Sequence, residues 1–189
     1  MAILGEPRSF ALVRRTIAVT LLATAPLAGQ PGPVIEDDVK AAFLYNFAKY
    51  VEWPDAAFPA GALRVCVVAD AAFAKRVDDI IAGETIEGRP VTREVPSTPE
   101  QARSCNILFV GGAEAGRADQ LLGAVRGSHV LTVGDTADFL ARGGIMTFVR
   151  DGDRVRFDVN VAEAQHAGLI ISSRLLRVAR HVSTAGGRR

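Results

Sequence analysis

The sequence predicts a single α/β domain: a mixed, partly parallel sheet flanked by helices, with a C-terminal antiparallel hairpin and helices. Three observations predict it. Short apolar runs alternate with segments of helical periodicity between Leu63 and Ala141, the order that builds a sheet covered by helices. Two later runs, Ile145 to Val149 and Arg154 to Val159, flank Asp151-Gly152-Asp153, a hairpin signal of the Asp-Gly type. The chain has 189 residues, and without residues 1–30, which read as a targeting segment, it has the size of one domain. Hydrophobic residues make up 49% and charged residues 23%, enough apolar material for one core and too much for a disordered chain.

The elements follow in chain order. Arg14 and Arg15 stand before the apolar run Thr16 to Ala25, a signal-peptide pattern. That run is too short to span a bilayer, as is every later one, so the mature protein is expected to be water-soluble. Ala23-Thr24-Ala25 fits the small-residue rule for cleavage but is followed by Pro26, and Leu27-Ala28-Gly29 fits it less well, which puts the cut between Ala28 and Pro33. Gln30 stands where a lipoprotein signal needs its cysteine, so no lipid anchor is expected. The competing interpretation is an amphipathic or disordered tail on a cytosolic protein; the signal-peptide pattern is preferred, with a folded domain over 34–182 and a disordered tail over 183–189.

Val39, Phe43, Phe47 and Tyr50 recur at helical steps within Glu36 to Val51, predicting a helix with that face inward. Glu36, Asp37 and Asp38 load its first turn with the charge its dipole favours, and Trp53-Pro54 stops it. The aromatics of this segment, Tyr45 among them, could form a binding face, but their spacing favours core. Leu63 to Ala69 reads as a buried strand, Phe73 to Ala82 as a helix ended by Gly83, and Pro90 to Val95 as a strand. Asn106 to Val110 reads as a buried strand closed by Gly111-Gly112, followed by a helix from Glu114 to Val125, a strand from His129 to Val133 and a short helix from Thr136 to Ala141. After the hairpin, Asn160 caps a helix from Val161 to His166, Gly168 ends it, and Ser172 caps a last helix reaching Val182.

The chemistry-bearing residues are few. A net charge of +1 provides no field to hold a polyanion, so nucleic acid is not expected as a partner. His129, His166 and His181 have no metal-ligand spacing. The glycines of Gly111-Gly112-Ala113-Glu114-Ala115-Gly116 are misplaced for a nucleotide loop. Asp70 and Asp135 follow strand ends, where α/β sheets bind small ligands, but they serve equally as helix caps, the favoured role. No catalytic constellation, metal site or cofactor site is expected, and the protein is not expected to be an enzyme. Cys66 lies in one predicted strand and Cys105 at the entrance to another, with 38 residues between them. In an exported chain an even pair points to a disulfide, worth about 3 to 4 kcal/mol by loop closure. The alternative is two separate buried thiols.

Lys40-Ala41-Ala42-Phe43-Leu44-Tyr45-Asn46-Phe47-Ala48-Lys49-Tyr50-Val51-Glu52-Trp53-Pro54 resembles the opening signature of the YfiR family of small exported bacterial proteins. Gly88-Arg89-Pro90, Cys105-Asn106-Ile107-Leu108-Phe109, Gly143-Gly144-Ile145-Met146, Val155-Arg156-Phe157-Asp158-Val159-Asn160 and Ala167-Gly168-Leu169-Ile170-Ile171-Ser172-Ser173-Arg174-Leu175-Leu176 follow in the family's order, so the resemblance spans about residues 36 to 180. It implies a periplasmic repressor that binds the periplasmic sensor domain of an inner-membrane diguanylate cyclase and holds it inactive. The output would be cyclic di-GMP and biofilm formation. It also implies homodimers, an outer-membrane lipoprotein able to draw the inhibitor away, and a structural disulfide at positions matching Cys66 and Cys105. Asp158 matches an acidic strand residue that contributes to cyclase binding. Basic side chains after the Ala-Gly-Leu motif contact small ligands in the family; here Ile170 and Ser172, both uncharged, stand in that segment.

Two other functions compete with repression by contact. One is a periplasmic small-ligand sensor feeding a transporter or histidine kinase, motivated by the α/β framework and the strand-end acids. The other is an enzyme with an unfamiliar site, for which no nucleophile and base are visible.

Overall fold

A computed structural model describes residues 33–59 and 61–184. The expected signal peptide, residues 1–30, and residues 185–189 of the expected tail lie outside the described residues. Helix α1 (Pro33–Tyr50) leads into β1 (Val51–Glu52), and β2 (Leu63–Val68) begins the main sheet. Next come α2 (Ala71–Ile81), β3 (Thr85–Ile86), β4 (Arg89–Glu94), β5 (Ile107–Val110), α3 (Ala118–Val125) and β6 (Leu131–Gly134). The hairpin β7 (Met146–Asp151) and β8 (Arg154–Asn160) precedes α4 (Val161–His166), β9 (Ile170–Ile171), α5 (Ser173–Val178) and β10 (His181–Ser183).

Eight strands form the main sheet in the order β10-β8-β7-β6-β5-β2-β4-β3, and β1 pairs with β9 in a separate two-stranded sheet. The strands from β4 to β7 are parallel, while β3 and β8 run antiparallel to their neighbours and β10 runs parallel to β8. The α/β class and the antiparallel hairpin are as the sequence predicts.

The sheet is buried on both faces because its central strands are apolar at nearly every position, Arg64 and Thr132 being the exceptions in β2 and β6. Val65, Val67, Ile107, Phe109, Leu131 and Val133 face a core shared with α1, α2 and α5. Cys66, Val68, Leu108 and Val110 face a second core, closed by Leu121, Leu122 and Val125 of α3. Each of those α3 side chains contributes about 1.5 to 3 kcal/mol by burial. Asn106 is fully buried, and every polar group on it is used. Its Oδ1 accepts from the Arg64 backbone N–H at 2.8 Å, and its Nδ2 donates to the Ala57 carbonyl at 2.9 Å. It thereby ties β2 and the approach to β5 to the 55–59 loop.

Several boundaries differ from the sequence-based expectation. In α1 the buried residues are Ala41, Leu44, Phe47 and Ala48, whereas Val39 and Tyr50 are 36% and 39% exposed. The helix meets both the sheet and α2, which turns its inward face away from the predicted stripe. It ends at Tyr50, before Trp53-Pro54, because Val51 and Glu52 pair with Ile171 and Ile170. The helix expected from Glu114 is a 3-10 helix (Gly112–Arg117) followed by α3.

Thr136 to Ala141 forms successive turns, not a helix. Phe139, 1% exposed, is drawn between Gly134 and Gly144, where a Cβ on Gly144 would lie 2.2 Å from its ring. That contact explains the second glycine of the Gly143-Gly144 motif. The hairpin turn is Gly152-Asp153, with Asp151 already paired to Arg154 and Gly152 at φ +59°, a two-residue loop with glycine first. Asn160 and Ser172 cap α4 and α5 as expected, accepting from the Glu163 and Leu175 N–H groups. The last helix stops at Val178, and His181, Val182 and Ser183 add an edge strand beside β8.

Candidate regulatory site: the disulfide and the β8–β10 edge

Cys66 and Cys105 are joined, with Cα atoms 5.8 Å apart. The parallel pairing of Cys66 with Leu108 brings Cys105 to the same end of the sheet. A 3-10 helix (Glu100–Ser104) delivers it there, and the Cys105 N–H closes that helix on the Ala102 carbonyl. Both cysteines are buried, 1% and 3% exposed, within the core under α3. The bridge therefore ties β2 to the segment that enters β5 on that face of the sheet.

Asp158 lies on β8 and is only 7% exposed. Both of its carboxylate oxygens accept from Arg180, one from Nε at 2.9 Å and the other from Nη2. Arg180 is also fixed through its backbone, whose N–H donates to the Phe157 carbonyl at 2.9 Å. The hydrogen bond to Asp158 holds the Arg180 guanidinium above its ordinary value, against desolvation. Arg180 is the outward partner: its side chain is 44% exposed and that of Asp158 is 10%. A molecule docking on this edge meets Arg180 first, beside Val178 and Val182, which are 56% and 38% exposed.

The strand-end acids separate. Asp70 caps α2, accepting from the Phe73 N–H at 2.9 Å. Asp135 is not a cap; it receives Lys40 at 3.2 Å, while Glu36 holds the same ammonium at 2.9 Å. Burial alone would lower Lys40, but the hydrogen bonds and charges of Glu36 and Asp135 outweigh it and leave the group above its ordinary 10.5. Asp37 beside them is pushed up by burial, despite Lys40 and Arg76. A crevice of about 380 Å³ opens between α2 and the 112–117 helix. Its charges are paired within the protein, Arg93 with Asp78 at 2.6 Å and Arg117 with Glu114 at 3.4 Å.

The aromatics of α1 divide. Phe47 is fully buried and Phe43 packs with it against Phe148 and Phe157, so these two belong to the core. Tyr45 lies outward, hydrogen-bonded to Glu84 with the Lys49 ammonium 3.8 Å above its ring. Among the described residues no group of three His, Cys, Asp or Glu is arranged to hold a metal ion, and no helix is long and apolar enough to cross a membrane. Ile170, from the segment after the Ala-Gly-Leu motif, is 63% exposed on β9.

Solved structures share this α/β fold. A conserved domain protein from Vibrio cholerae O1 biovar eltor superposes with a TM-score of 0.54 at 10% identity, over 78% of this chain and 60% of that one. The ABC domain from Streptococcus pneumonia, in complex with L-Trp, gives 0.51 at 11% identity over the same shares. The chain thus spans about 60% of the length of either, and at these identities the likeness defines the fold alone. The family is defined by sequence: residues 37–180 match the model of DUF4154, YfiR/HmsC-like. The chain belongs to the YfiR/HmsC-like family.

Neither Arg180 nor the Lys40–Asp135 pair was singled out by the sequence reading. Their partners lie 22 and 95 residues away, and no local spacing encodes such pairs.

Proposed function

We propose that this protein is an exported, non-catalytic regulator that binds the periplasmic domain of an inner-membrane diguanylate cyclase and holds it in its inactive conformer. The observation that carries this reading is the family match over residues 37–180. The Cys66–Cys105 bridge and the signal-peptide pattern support it, since disulfides persist in oxidising compartments. The protein acts as a homodimer, and an outer-membrane lipoprotein draws it away. Its effect on the cyclase equals its differential affinity for the two conformers. The β8–β10 edge contributes to docking, with Asp158 acting by holding Arg180 in place.

The test is retention of the mature, oxidised protein on immobilised periplasmic domains of the host's membrane-bound diguanylate cyclases. Retention on at least one is expected, weakened by Arg180→Ala. Failure with all of them overturns the proposal.

A further inference from the structure

A cavity of about 250 Å³ lies at the amino-terminal end of the sheet, where β2, β5 and β6 begin. We propose that it binds a small organic oxyanion of the phosphate-monoester class. Arg64, Arg103 and His129 line it together with Ser104, Ser128 and Cys105, and among the described residues no carboxylate lines it. The crevice at the opposite end of the sheet differs in this respect, since its cations are neutralised by neighbouring acids.

The three basic groups are differently held. Arg64 is half-buried, and its Nε is buried without an acceptor; buried donors in folded proteins are normally paired, and this one is not, so turning the side chain toward the cavity forfeits no hydrogen bond at that nitrogen. Arg103 is anchored through Nη1 to the Ala124 carbonyl at 3.0 Å, leaving its other donors available. His129 has Nδ1 2.9 Å from the Ala167 carbonyl. A carbonyl only accepts, so that nitrogen carries the proton and the ring orientation is fixed. The ring sits so close to Gly168 that a Cβ there would lie 2.9 Å from Nδ1, and Gly168 adopts φ +71°.

Guanidinium groups match phosphate oxygens geometrically, and a monoester carries about −1.5 to −2 charges at pH 7, which suits the two arginines. Ala56, Ala57 and Pro59 supply an apolar wall, placed by the hydrogen bond from Asn106 to the Ala57 carbonyl. The volume leaves room for an organic body as well as the anion. This site stands apart from the proposed cyclase interaction, and its failure would leave that proposal untouched.

Calorimetric titration of the oxidised mature protein tests it, with phenyl phosphate, inorganic phosphate and benzyl alcohol as separate probes. Phenyl phosphate is expected to bind, inorganic phosphate about tenfold more weakly, and benzyl alcohol not at all. Arg64→Gln and Arg103→Gln should each weaken phenyl phosphate by about tenfold or more, equivalent to the loss of one charge-assisted contact. Arg117→Gln, at the far end of the sheet, should leave it unchanged. Should Arg64→Gln not fold, Arg103→Gln decides, because Arg103 is exposed. The proposal is overturned by no binding of phenyl phosphate at millimolar concentration, by binding indifferent to Arg103→Gln, or by equal binding of benzyl alcohol or of inorganic phosphate.

Discussion

Arg180 grips the buried carboxylate of Asp158 with two guanidinium nitrogens, so that the residue just before β10 is locked to the middle of β8. The pair is asymmetric in exposure, and the two truncations should therefore differ. Asp158→Ala leaves a guanidinium that water can solvate. Arg180→Ala leaves a carboxylate buried without its partner, the costlier outcome. Urea denaturation should rank Arg180→Ala below Asp158→Ala in stability; the reverse order would show that the carboxylate reaches water once its partner is gone.

The disulfide encloses a 39-residue separation and pins the face under α3. Cys105→Ser should lower stability by about 3 to 4 kcal/mol through the entropy restored to the unfolded chain. For a domain of this size that is a fall in melting temperature of roughly 6 to 16 °C. A scanning calorimetry trace matching the parent protein would show the bridge to be energetically idle.

Lys40 links α1 to the carboxyl end of β6 through Asp135, and its side chain is 12% exposed. Lys40→Met should cost about 3 kcal/mol, because it leaves Asp135 partly buried without its cation, whereas Glu36 keeps Arg150 at 3.5 Å. The folded state holds Lys40 above 10.5, so it binds this proton more tightly than the unfolded chain does. The pair's contribution is therefore fully present below pH 10.5 and is lost as pH rises through the higher folded value. Stability curves of parent and variant should run parallel near neutrality and converge above pH 10.5. Convergence already at pH 8 would contradict the assignment.

The elements written in local patterns were the ones legible in the sequence. Ile107 to Val110 is a continuous apolar run, Leu63 to Val68 is one broken only by Arg64, and Asn160 and Ser172 are caps whose partners lie three residues on. The hairpin was legible for the same reason, although its turn shifted by one residue. Tertiary competition decided the rest. Thr136 to Ala141 has helical spacing, but Phe139 gains more by packing between Gly134 and Gly144. The last helix was expected to reach Val182 and the tail to begin at Ser183, yet His181 to Ser183 completes the sheet beside β8. The disulfide was readable because the chain has one even pair of cysteines behind a signal-peptide pattern, Cys66 in a predicted strand and Cys105 at the entrance to another. The Asp158–Arg180 clasp and the basic cavity were not, since their members come together only when distant strands and loops assemble.

The central claim is most directly tested by the rate of cyclic di-GMP synthesis in membranes containing a diguanylate cyclase with a periplasmic domain. Purified oxidised protein would be added on the periplasmic side. At saturation it should suppress synthesis at least about tenfold, corresponding to about 1.4 kcal/mol of preference for the inactive conformer, and reduced or Cys105→Ser protein should suppress it less. An undiminished rate with every such cyclase of the host, at concentrations where the protein is folded and oxidised, would contradict it.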